Sequence, residues 1–188
     1  MNVNESYGLY LFKKSNEAEN SLKEMLQFLK SQSVFKSSQF SYIEAGNSLH
    51  PELSLIENIQ IELGKVSWDE LPFYLSGDLQ GLLNLIASPE IKASEAQNWE
   101  KFLVSFIKGT LLPTKNLIID INEQNLSPFL IQKFKKNILD ITESKTVYLA
   151  TANTSLWLDC AHSLVGRKGY DFEVEILASE LIKKNWAS

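Results

Sequence analysis

Short apolar runs alternate with amphipathic stretches along most of this chain, and this alternation limits its fold more than any other feature. Residues 7–12 are apolar and aromatic, as in a buried strand, and residues 20–32 carry apolar side chains at the spacing of a helix. A second strand is expected at residues 39–44. Strand, helix and strand in this order favour a parallel sheet with right-handed crossovers.

A helical block interrupts the alternation between residues 51 and 112. Its apolar positions recur with the period of amphipathic helices and form three stripes. The stripes comprise Leu53, Ile56, Ile59 and Leu63; Leu75, Leu79, Leu82, Leu83 and Ile86; and Trp99, Leu103, Phe106 and Ile107. Because one predicted strand precedes the block and another follows it, the pattern predicts a helical subdomain inserted into an α/β core.

Strands and helices alternate again after the block. Strands are predicted at residues 116–121, 145–151, 164–165 and 172–176, and helices at residues 126–140 and 154–162, with a closing helix that ends near residue 186. The predicted fold is therefore a single α/β domain with a mostly parallel sheet. Residues 1–47 and 113–188 are expected to form its core, and residues 48–112 the inserted helical subdomain.

The charge and the composition exclude several classes of protein. The 188 residues carry a net charge of −5, whereas a nucleic-acid-binding protein normally has a basic face. The single cysteine, Cys160, cannot form an internal disulfide, which fits a reducing compartment such as the cytosol. No segment resembles a signal peptide or approaches the roughly 18 to 20 apolar residues of a membrane-spanning helix, so membrane contact is expected only through a partner. His50 and His162 lie on different predicted elements, and no metal site is expected.

Two segments resemble the ABC-type ATPases in their order and spacing. Residues 49–59, Leu-His-Pro-Glu-Leu-Ser-Leu-Ile-Glu-Asn-Ile, are similar to the run that follows the glutamine loop in that family and opens its helical subdomain. Residues 120–128 line up with the family's Asp-Glu-Pro-Thr-x-x-Leu-Asp-Pro segment, in which Asp120, Leu126 and Pro128 match in register. The resemblance covers residues 7–165 and implies a P-loop NTPase-like fold. The family's opening antiparallel strands are mostly missing.

The positions that handle ATP in the ABC-type ATPases hold other residues in this chain. The slot of the phosphate-binding loop, G-x-x-x-x-G-K-[ST], runs from Lys14 to Ser21, and of the loop's defining residues only Ser21 matches. Glu19 stands at the second glycine and Asn20 at the lysine, while Asp120 keeps the acidic end of the Walker B strand. The resemblance also places Ala45 near the glutamine of the glutamine loop, Ile121 at the carboxylate that orients water, Ala152 at the switch histidine and residues 97–100 at the signature segment.

These replacements predict that the chain uses no nucleotide cofactor. The phosphate loop works because glycines let backbone amides surround the phosphates and a lysine neutralises their charge. Glu17 and Glu19 instead bring negative charge to the loop. Two unit charges about 4 Å apart interact by about 4 kcal/mol at an effective dielectric constant near 20, so this repulsion outweighs any residual contact. Asp120 without nucleotide phosphates is a poor Mg²⁺ site.

The resemblance implies a non-hydrolysing subunit that docks on a membrane permease, pairs with an active ABC ATPase subunit, or does both. In the family a cleft beside the glutamine loop receives a helix of the permease. The docking positions that follow from it are Leu49, His50, Pro51, Glu52, Leu53, Trp99, Leu126, Ser127 and Pro128. A place for Trp99 in the core is the alternative. Such a subunit would be cytoplasmic and peripheral at the inner face of the membrane, as a homodimer or a heterodimer.

Other interpretations fit the same residues. The chain could be a weakly active ATPase that uses Asp120 and Glu123, although Glu123 lies two residues beyond the family's position. It could also be a freestanding scaffold or regulator, or a degenerate clamp-loader-like ATPase, because fold does not determine function. Asp120 could cap a turn, Ser21 could satisfy free amides at a helix start, and Cys160 could pack as a small apolar group.

Overall fold

The computed structural model of the protein describes residues 7–14, 18–31, 40–44, 48–64, 66–75, 77–168 and 171–177. Within these residues, helices cover both faces of a sheet. The predicted closing helix near residue 186 lies outside the described residues.

The strands of the described residues form one sheet. They are β1 (Leu9–Lys13), β2 (Phe40–Glu44), β3 (Asn116–Asp120), β4 (Thr146–Thr151), β5 (Ser163–Lys168) and β6 (Asp171–Ile176). Their order across the sheet is β2-β3-β4-β1-β5-β6. β1 to β5 run parallel, and β6 pairs antiparallel with β5 at one edge. The mostly parallel sheet is therefore confirmed, and β5 is longer than the two residues predicted for it.

The α-helices of the described residues are α1 (Ala18–Ser31), α2 (Leu55–Leu63), α3 (Gly77–Leu83), α4 (Asn98–Leu111) and α5 (Pro128–Ile141). α2, α3 and α4 all lie between β2 and β3, which confirms a helical insertion within an α/β fold.

Side chains that cap the first turn determine where several of these helices begin. Ser54 caps α2 and forms a capping box with Glu57, and at the start of α4 the Glu100 carboxylate accepts a hydrogen bond from the Gln97 amide at 2.9 Å. The Ser127 hydroxyl accepts a hydrogen bond from the Leu130 amide at the start of α5. A cap satisfies an amide that has no partner within the helix, and its loss typically costs about 1 kcal/mol.

The prediction of a helix at residues 154–162 is wrong. The chain forms only a 3₁₀ turn at Thr154–Leu156 and then a second turn. Backbone hydrogen bonds join residues three apart, from Trp157 N to Thr154 O at 2.9 Å and from Cys160 N to Trp157 O at 3.1 Å. Trp157 and Cys160 have helical spacing, but consecutive tight turns bury both side chains equally well. Cys160 therefore packs as a small apolar group, but in a turn.

Apolar side chains cover both faces of the sheet. On one face, Phe102 and Phe106 of α4 make edge-to-face contacts with Phe134 of α5, with ring centroids 5.0 and 5.1 Å from that of Phe134. This layer covers the strand residues Leu9, Leu11, Ile43, Leu117, Ile119, Val147 and Leu149. The opposite face joins Tyr10, Phe12, Ile118 and Tyr148 to Met25, Phe28 and Leu29 of α1. Full burial of each large apolar side chain contributes about 1.5–3 kcal/mol.

The register of the sheet brings the carboxyl ends of β1, β3 and β4 together. Lys13 of β1 lies beside Thr151 of β4, and Asp120 of β3 lies beside Ala150 of β4. The residues that follow these three strands therefore meet at one edge of the sheet. Ligands of open parallel α/β sheets bind at this edge.

Candidate functional site

An ion pair lies at the carboxyl edge of the sheet. Lys14 directly follows β1 and forms a salt bridge with Asp120 at the end of β3, although β4 separates the two strands. Lys14 Nζ also donates to the Ile121 carbonyl at 2.7 Å, and the Lys14 amide donates to the Thr151 carbonyl at 2.9 Å. Both charged side chains are only 17% exposed. The ammonium group of Lys14 thus neutralises the charge of the Asp120 carboxylate.

Two further positions predicted at this edge offer no acid or base. Ile121 is buried in the core, and its amide donates to the Ala150 carbonyl at 3.1 Å. Ala152 follows β4 and is exposed. A buried hydrocarbon side chain cannot orient an attacking water, and a methyl group cannot donate a hydrogen bond to a phosphate.

Glu123 provides a second carboxylate near the same edge. It begins the 3₁₀ turn Glu123–Asn125, and its Oε1 accepts hydrogen bonds from the Thr151 hydroxyl and from the Trp157 indole nitrogen, the latter at 3.2 Å. The Thr151 hydroxyl in turn accepts from the Asn153 amide at 3.1 Å. Because Thr151 and Trp157 are fully buried, these bonds hold the Glu123 carboxylate in one place.

Sequence reasoning missed Thr151 and Trp157 as neighbours of Glu123. The Trp157 side chain is completely buried. A buried indole N–H generally needs a hydrogen-bond partner, so a buried Trp157 implies an acceptor near its indole nitrogen. The partner could not be identified from the sequence, since Glu123 and Trp157 are 34 positions apart and residues 154–162 were expected to be a helix.

Burial and nearby carboxylates shift the pKa of Tyr42 of β2, which lies near this edge. Burial, followed in weight by the charges of Asp120 and Glu44, raises the pKa of the Tyr42 phenol well above its usual value. Tyr42 therefore stays protonated at neutral pH and adds no charge to the site.

Part of the predicted nucleotide site has no described side chains. Residues 15–17 and Ala45 lie outside the described residues. Glu19, Asn20 and Ser21 lie in the first turn of α1, which begins at Ala18, but the description does not extend to their side chains. The incompatibility of this loop with a triphosphate therefore stays a prediction.

The predicted docking segment forms a rigid turn. His50, Pro51 and Glu52 are exposed, whereas Leu49 is buried in the core and Leu53 is partly buried. Leu49 therefore anchors the turn to the core, and the three exposed residues form its solvent-facing surface.

Asn58 fastens this turn from inside. Its side chain is fully buried, accepts from the His50 amide at 2.7 Å, and donates to the carbonyl groups of His50, Leu53 and Ser54 at 3.1, 3.3 and 2.9 Å. The Asn58 side chain thus holds both ends of the exposed turn. We call the three exposed residues, His50, Pro51 and Glu52, the docking turn.

A second segment braces the docking turn. The Ala93 amide donates to the Leu53 carbonyl at 2.9 Å, and the Ser94 amide donates to the Pro51 carbonyl at 3.0 Å. Lys92 forms an exposed ion pair with Glu52 at 3.0 Å. Residues 92–94 therefore connect the turn to the chain that enters α4.

The other predicted docking residues lie in different surroundings. Leu126 is buried, whereas Ser127 and Pro128 are exposed at the start of α5. Trp99 is partly buried against the core, and its indole nitrogen donates to Gln97 Oε1 at 2.7 Å. Trp99 thus packs on the core with one side still accessible.

Two solved structures share this fold. One, described as "Structure of ATP binding subunit of ABC transporter", has a TM-score of 0.65 at 16% identity and covers 84% of this chain and 73% of that chain. The other, "Dimeric Structure of MJ0796, a Bacterial ABC Transporter Cassette", has a TM-score of 0.69 at 13% identity, with coverages of 94% and 88%. The predicted ABC-ATPase-like, P-loop NTPase-like fold is thereby confirmed. No protein-family profile and no curated protein sequence matches the chain.

None of the helices in the described part of the chain combines the length and apolarity needed to cross a membrane. That part of the chain also contains no group of three or more His, Cys, Asp or Glu side chains arranged to hold a metal ion.

Proposed function

We propose that this chain is a non-hydrolysing subunit with the fold of an ABC-transporter ATPase, which docks on a membrane permease, pairs with an active ATPase subunit, or does both. The observation that carries the proposal is the contact of Lys14 with Asp120 at the carboxyl edge of the sheet. For Asp120 to bind Mg²⁺ with a nucleotide, it would have to release Lys14. That release leaves a poorly solvated charge without its partner, which is costly.

The remaining replacements support the same conclusion. Catalysis of phosphoryl transfer depends on groups that position water and neutralise developing charge. Ile121 faces the core and Ala152 has no polar side-chain atom, so neither position supplies such a group. The acidic loop residues Glu17 and Glu19 add repulsion toward a polyanion.

The docking turn supports a role in binding another protein. A surface loop that is already ordered loses little conformational freedom when it binds a partner. Asn58, the capping box of α2 and the bonds from residues 92–94 order this turn in the free chain. The proposal divides the chain into a core of residues 1–47 and 113–188 and a helical subdomain of residues 48–112, and it places the protein in the cytoplasm at the inner face of the membrane.

Calorimetry with ATP and Mg²⁺ tests the nucleotide half of this proposal. The full chain is expected to show no binding up to about 1 mM nucleotide, which corresponds to less than about 4 kcal/mol of binding free energy. A dissociation constant in the micromolar range would overturn the proposal.

Co-purification from detergent-solubilised membranes tests the docking half. The tagged chain is expected to retain a polytopic membrane protein, and the double variant Pro51→Ala/Glu52→Lys is expected to lose it. Glu175→Lys, an exposed change on β6, serves as the matched control and should retain the partner. A chain that purifies as a lone monomer, or a partner retained equally by all three proteins, would contradict docking through this turn.

A weakly active ATPase is the second candidate, and the position of Glu123 favours it. Its carboxylate is held near the carboxyl edge of the sheet by Thr151 and Trp157, and a general base needs such a fixed position. If turnover of ATP is found, Glu123→Gln should abolish it. Turnover that survives this change would indicate a contaminating enzyme.

A further inference from the structure

Three large aromatic side chains are exposed on two elements of the fold. Phe73 and Tyr74 belong to a 3₁₀ turn of the helical insertion, Leu71–Tyr74, and are 87% and 57% exposed. Phe129, in the first turn of α5, is 57% exposed as well. Aromatic side chains are enriched where a protein surface is covered by a partner.

The turn Leu71–Tyr74 is held in place from within. Leu71 and Leu75, on either side of its two aromatic residues, are buried in the core. Gln80 Nε2 of α3 donates to the carbonyl groups of Pro72 and Leu75 at 2.7 and 3.2 Å. The turn therefore presents its aromatic side chains from an ordered backbone, which loses little conformational freedom when a partner covers them.

Carboxylates precede this turn directly. Asp69 and Glu70 are exposed, and Glu70 Oε2 accepts hydrogen bonds from the amide and the hydroxyl of Ser67 at 2.9 and 2.8 Å. Residues 48–97 contain eight acidic residues and two lysines, so the surroundings of the turn favour a basic partner. We call the two carboxylates and the two exposed aromatic residues the acidic patch: Asp69, Glu70, Phe73 and Tyr74.

The exposed aromatic residue of α5 has basic neighbours instead. Lys133 and Lys136 are exposed and follow Phe129 by four and seven residues, so the three lie on the same side of the helix. Lys133 Nζ lies 5.7 Å from the centre of the Phe129 ring. We call Phe129, Lys133 and Lys136 the basic patch.

An ion pair between α3 and α5 brings the two patches close together. Lys136 Nζ contacts Asp78 Oδ1 at 2.6 Å. Asp78 follows Tyr74 by four residues, which span at most about 14 Å, and Phe129 lies about 10 Å from Lys136 along the helix. The acidic and the basic patch are therefore neighbours on the surface of one chain.

We propose that a second copy of the chain covers this surface in a two-fold dimer, in which the acidic patch of one copy packs against the basic patch of the other. A two-fold rotation repeats each contact, so both patches of both copies are used. Opposite charges then surround aromatic side chains that leave the solvent. The chain itself supplies both halves of this complementarity, and the inference depends neither on nucleotide binding nor on docking to a permease.

The exposed aromatic area sets the strength expected of this dimer. Phenylalanine and tyrosine bury about 150–250 Å² each, so at their present exposure the three side chains offer about 300–500 Å² per copy. A stable interface of standard size buries about 800 Å² per partner, and the charged side chains around the aromatic groups supply the remainder. We expect a dissociation constant of about 1–100 μM, at the weak end for interfaces of this size.

Sedimentation velocity of the full chain between about 5 and 200 μM tests the dimer. In about 50 mM NaCl the wild-type chain is expected to change from monomer to dimer over this range, and about 500 mM NaCl should weaken association three- to tenfold through screening. Phe73→Ser and Phe129→Ser should each weaken it about tenfold or more. Because both side chains are exposed, the urea midpoint of each variant should stay near that of the wild-type chain. Ile61→Ser removes an apolar side chain of α2 that is 55% exposed outside both patches, and this matched control should dimerise like the wild-type chain.

Charge reversal tests which patch meets which. Asp69→Lys and Lys133→Glu should each weaken dimerisation about tenfold or more, since each places like charges across both contacts. An equimolar mixture of the two variants should dimerise again, because each supplies the charge that the other lacks, and so should a chain that carries both changes. The proposal is wrong if the wild-type chain stays monomeric up to about 200 μM at low salt, or if its dimer is unchanged in Phe73→Ser and Phe129→Ser. It is equally wrong if the mixture associates no better than either variant alone.

Discussion

At the scale of single residues, the ion pair with Lys14 determines what the Asp120 carboxylate can bind. From the sequence alone, Asp120 ends a buried strand and is a poor Mg²⁺ site without nucleotide phosphates. In the fold, the neighbouring order of β3, β4 and β1 allows Lys14 to reach across β4 to it. The sequence correctly predicts that Asp120 ends a strand, but it cannot predict this pair, since the contact depends on the order of strands that are far apart in the chain.

The strength of the Lys14–Asp120 pair is testable by a double-mutant cycle. Lys14→Met is expected to lower the free energy of unfolding by about 1–3 kcal/mol, because it leaves a poorly solvated carboxylate without its partner. Lys14→Met/Asp120→Asn should cost less than the sum of the single changes. Urea denaturation measures each value.

The exposed pair of Lys92 and Glu52 provides the matched cycle. Its side chains are 51% and 67% exposed, so its coupling energy should be close to zero and at most about 1 kcal/mol. Equal coupling energies in the two cycles would show that the Lys14–Asp120 pair is an ordinary surface contact.

His162 gives the fold a dependence on pH. Its Nδ1 accepts a hydrogen bond from the Leu9 amide at 2.9 Å, and burial lowers the pKa of its imidazole below the usual 6.5. The folded chain therefore binds this proton less readily than the unfolded chain, so stability is full above pH 6.5 and falls below it. The free energy of unfolding is expected to lose about 1 kcal/mol from this group between pH 7 and pH 5.

His162→Asn separates this effect from other titrations. Asparagine can offer an acceptor oxygen to Leu9 but does not titrate, so the variant should lose less stability between pH 7 and pH 5 than the wild-type chain does. Urea denaturation at the two pH values gives the comparison. An identical loss in both proteins would assign the pH dependence to other groups.

At the scale of secondary-structure elements, the docking turn depends on α2. Asn58 lies on the buried side of this helix and makes four hydrogen bonds back to the turn before it. Asn58→Ala is expected to lower the free energy of unfolding by about 2–4 kcal/mol, since the buried side chain is lost and several partly buried backbone groups lose their partner together. Thermal or urea denaturation measures this loss, and partner retention in the co-purification assay should fall in parallel.

Asn137 of α5 is the matched control for Asn58. It is equally buried, but its side-chain amide donates only to the Lys133 carbonyl, at 2.8 Å, and its side-chain oxygen has no hydrogen-bond partner. Asn137→Ala should therefore cost about 1 kcal/mol or less and leave partner retention unchanged. Equal losses from the two alanine variants would show that Asn58 acts only through general packing.

Elements were predictable where the apolar period was long enough to be unambiguous. β3 and β4 are continuous apolar runs, and α5 repeats its stripe over nearly four turns, so all three were located to within two residues. The stretch from Thr154 to His162 was too short for this, because the spacing of Trp157 and Cys160 suits a helix and a pair of tight turns alike. The bond from Trp157 to Glu123 was not foreseeable for the same reason.

At the scale of the whole molecule, apolar packing on both faces of the sheet holds the fold together. Apolar contacts dominate the packing of α4 and α5 on the sheet, and the Ser41 hydroxyl of β2 adds a hydrogen bond to the Gly109 carbonyl of α4 at 3.1 Å. At the carboxyl edge of the sheet, Ile121 belongs to the same core, whereas Lys14 and Asp120 form an ion pair. Apolar packing keeps the fold, while a few polar positions decide its activity.

Gly109 of α4 packs tightly against the sheet. A methyl group there would lie 2.6 Å from Cγ1 and 2.7 Å from Cδ1 of the fully buried Ile43. Gly109→Ala is therefore expected to cost about 1–2 kcal/mol, even though alanine favours helices, because Ile43 has no space to move. Gly109→Ala/Ile43→Ala should cost less than the sum of the single variants.

Replacement of Gly81 of α3 by alanine is expected to stabilise the fold, in contrast to the same change at Gly109. No atom lies within 4 Å of the position that its methyl group would occupy, so Gly81→Ala should raise the free energy of unfolding by about 0.5–1 kcal/mol through helix propensity alone. Chemical denaturation of both variants measures the difference. Effects of the same sign and size in the two variants would mean that α4 does not approach β2 this closely.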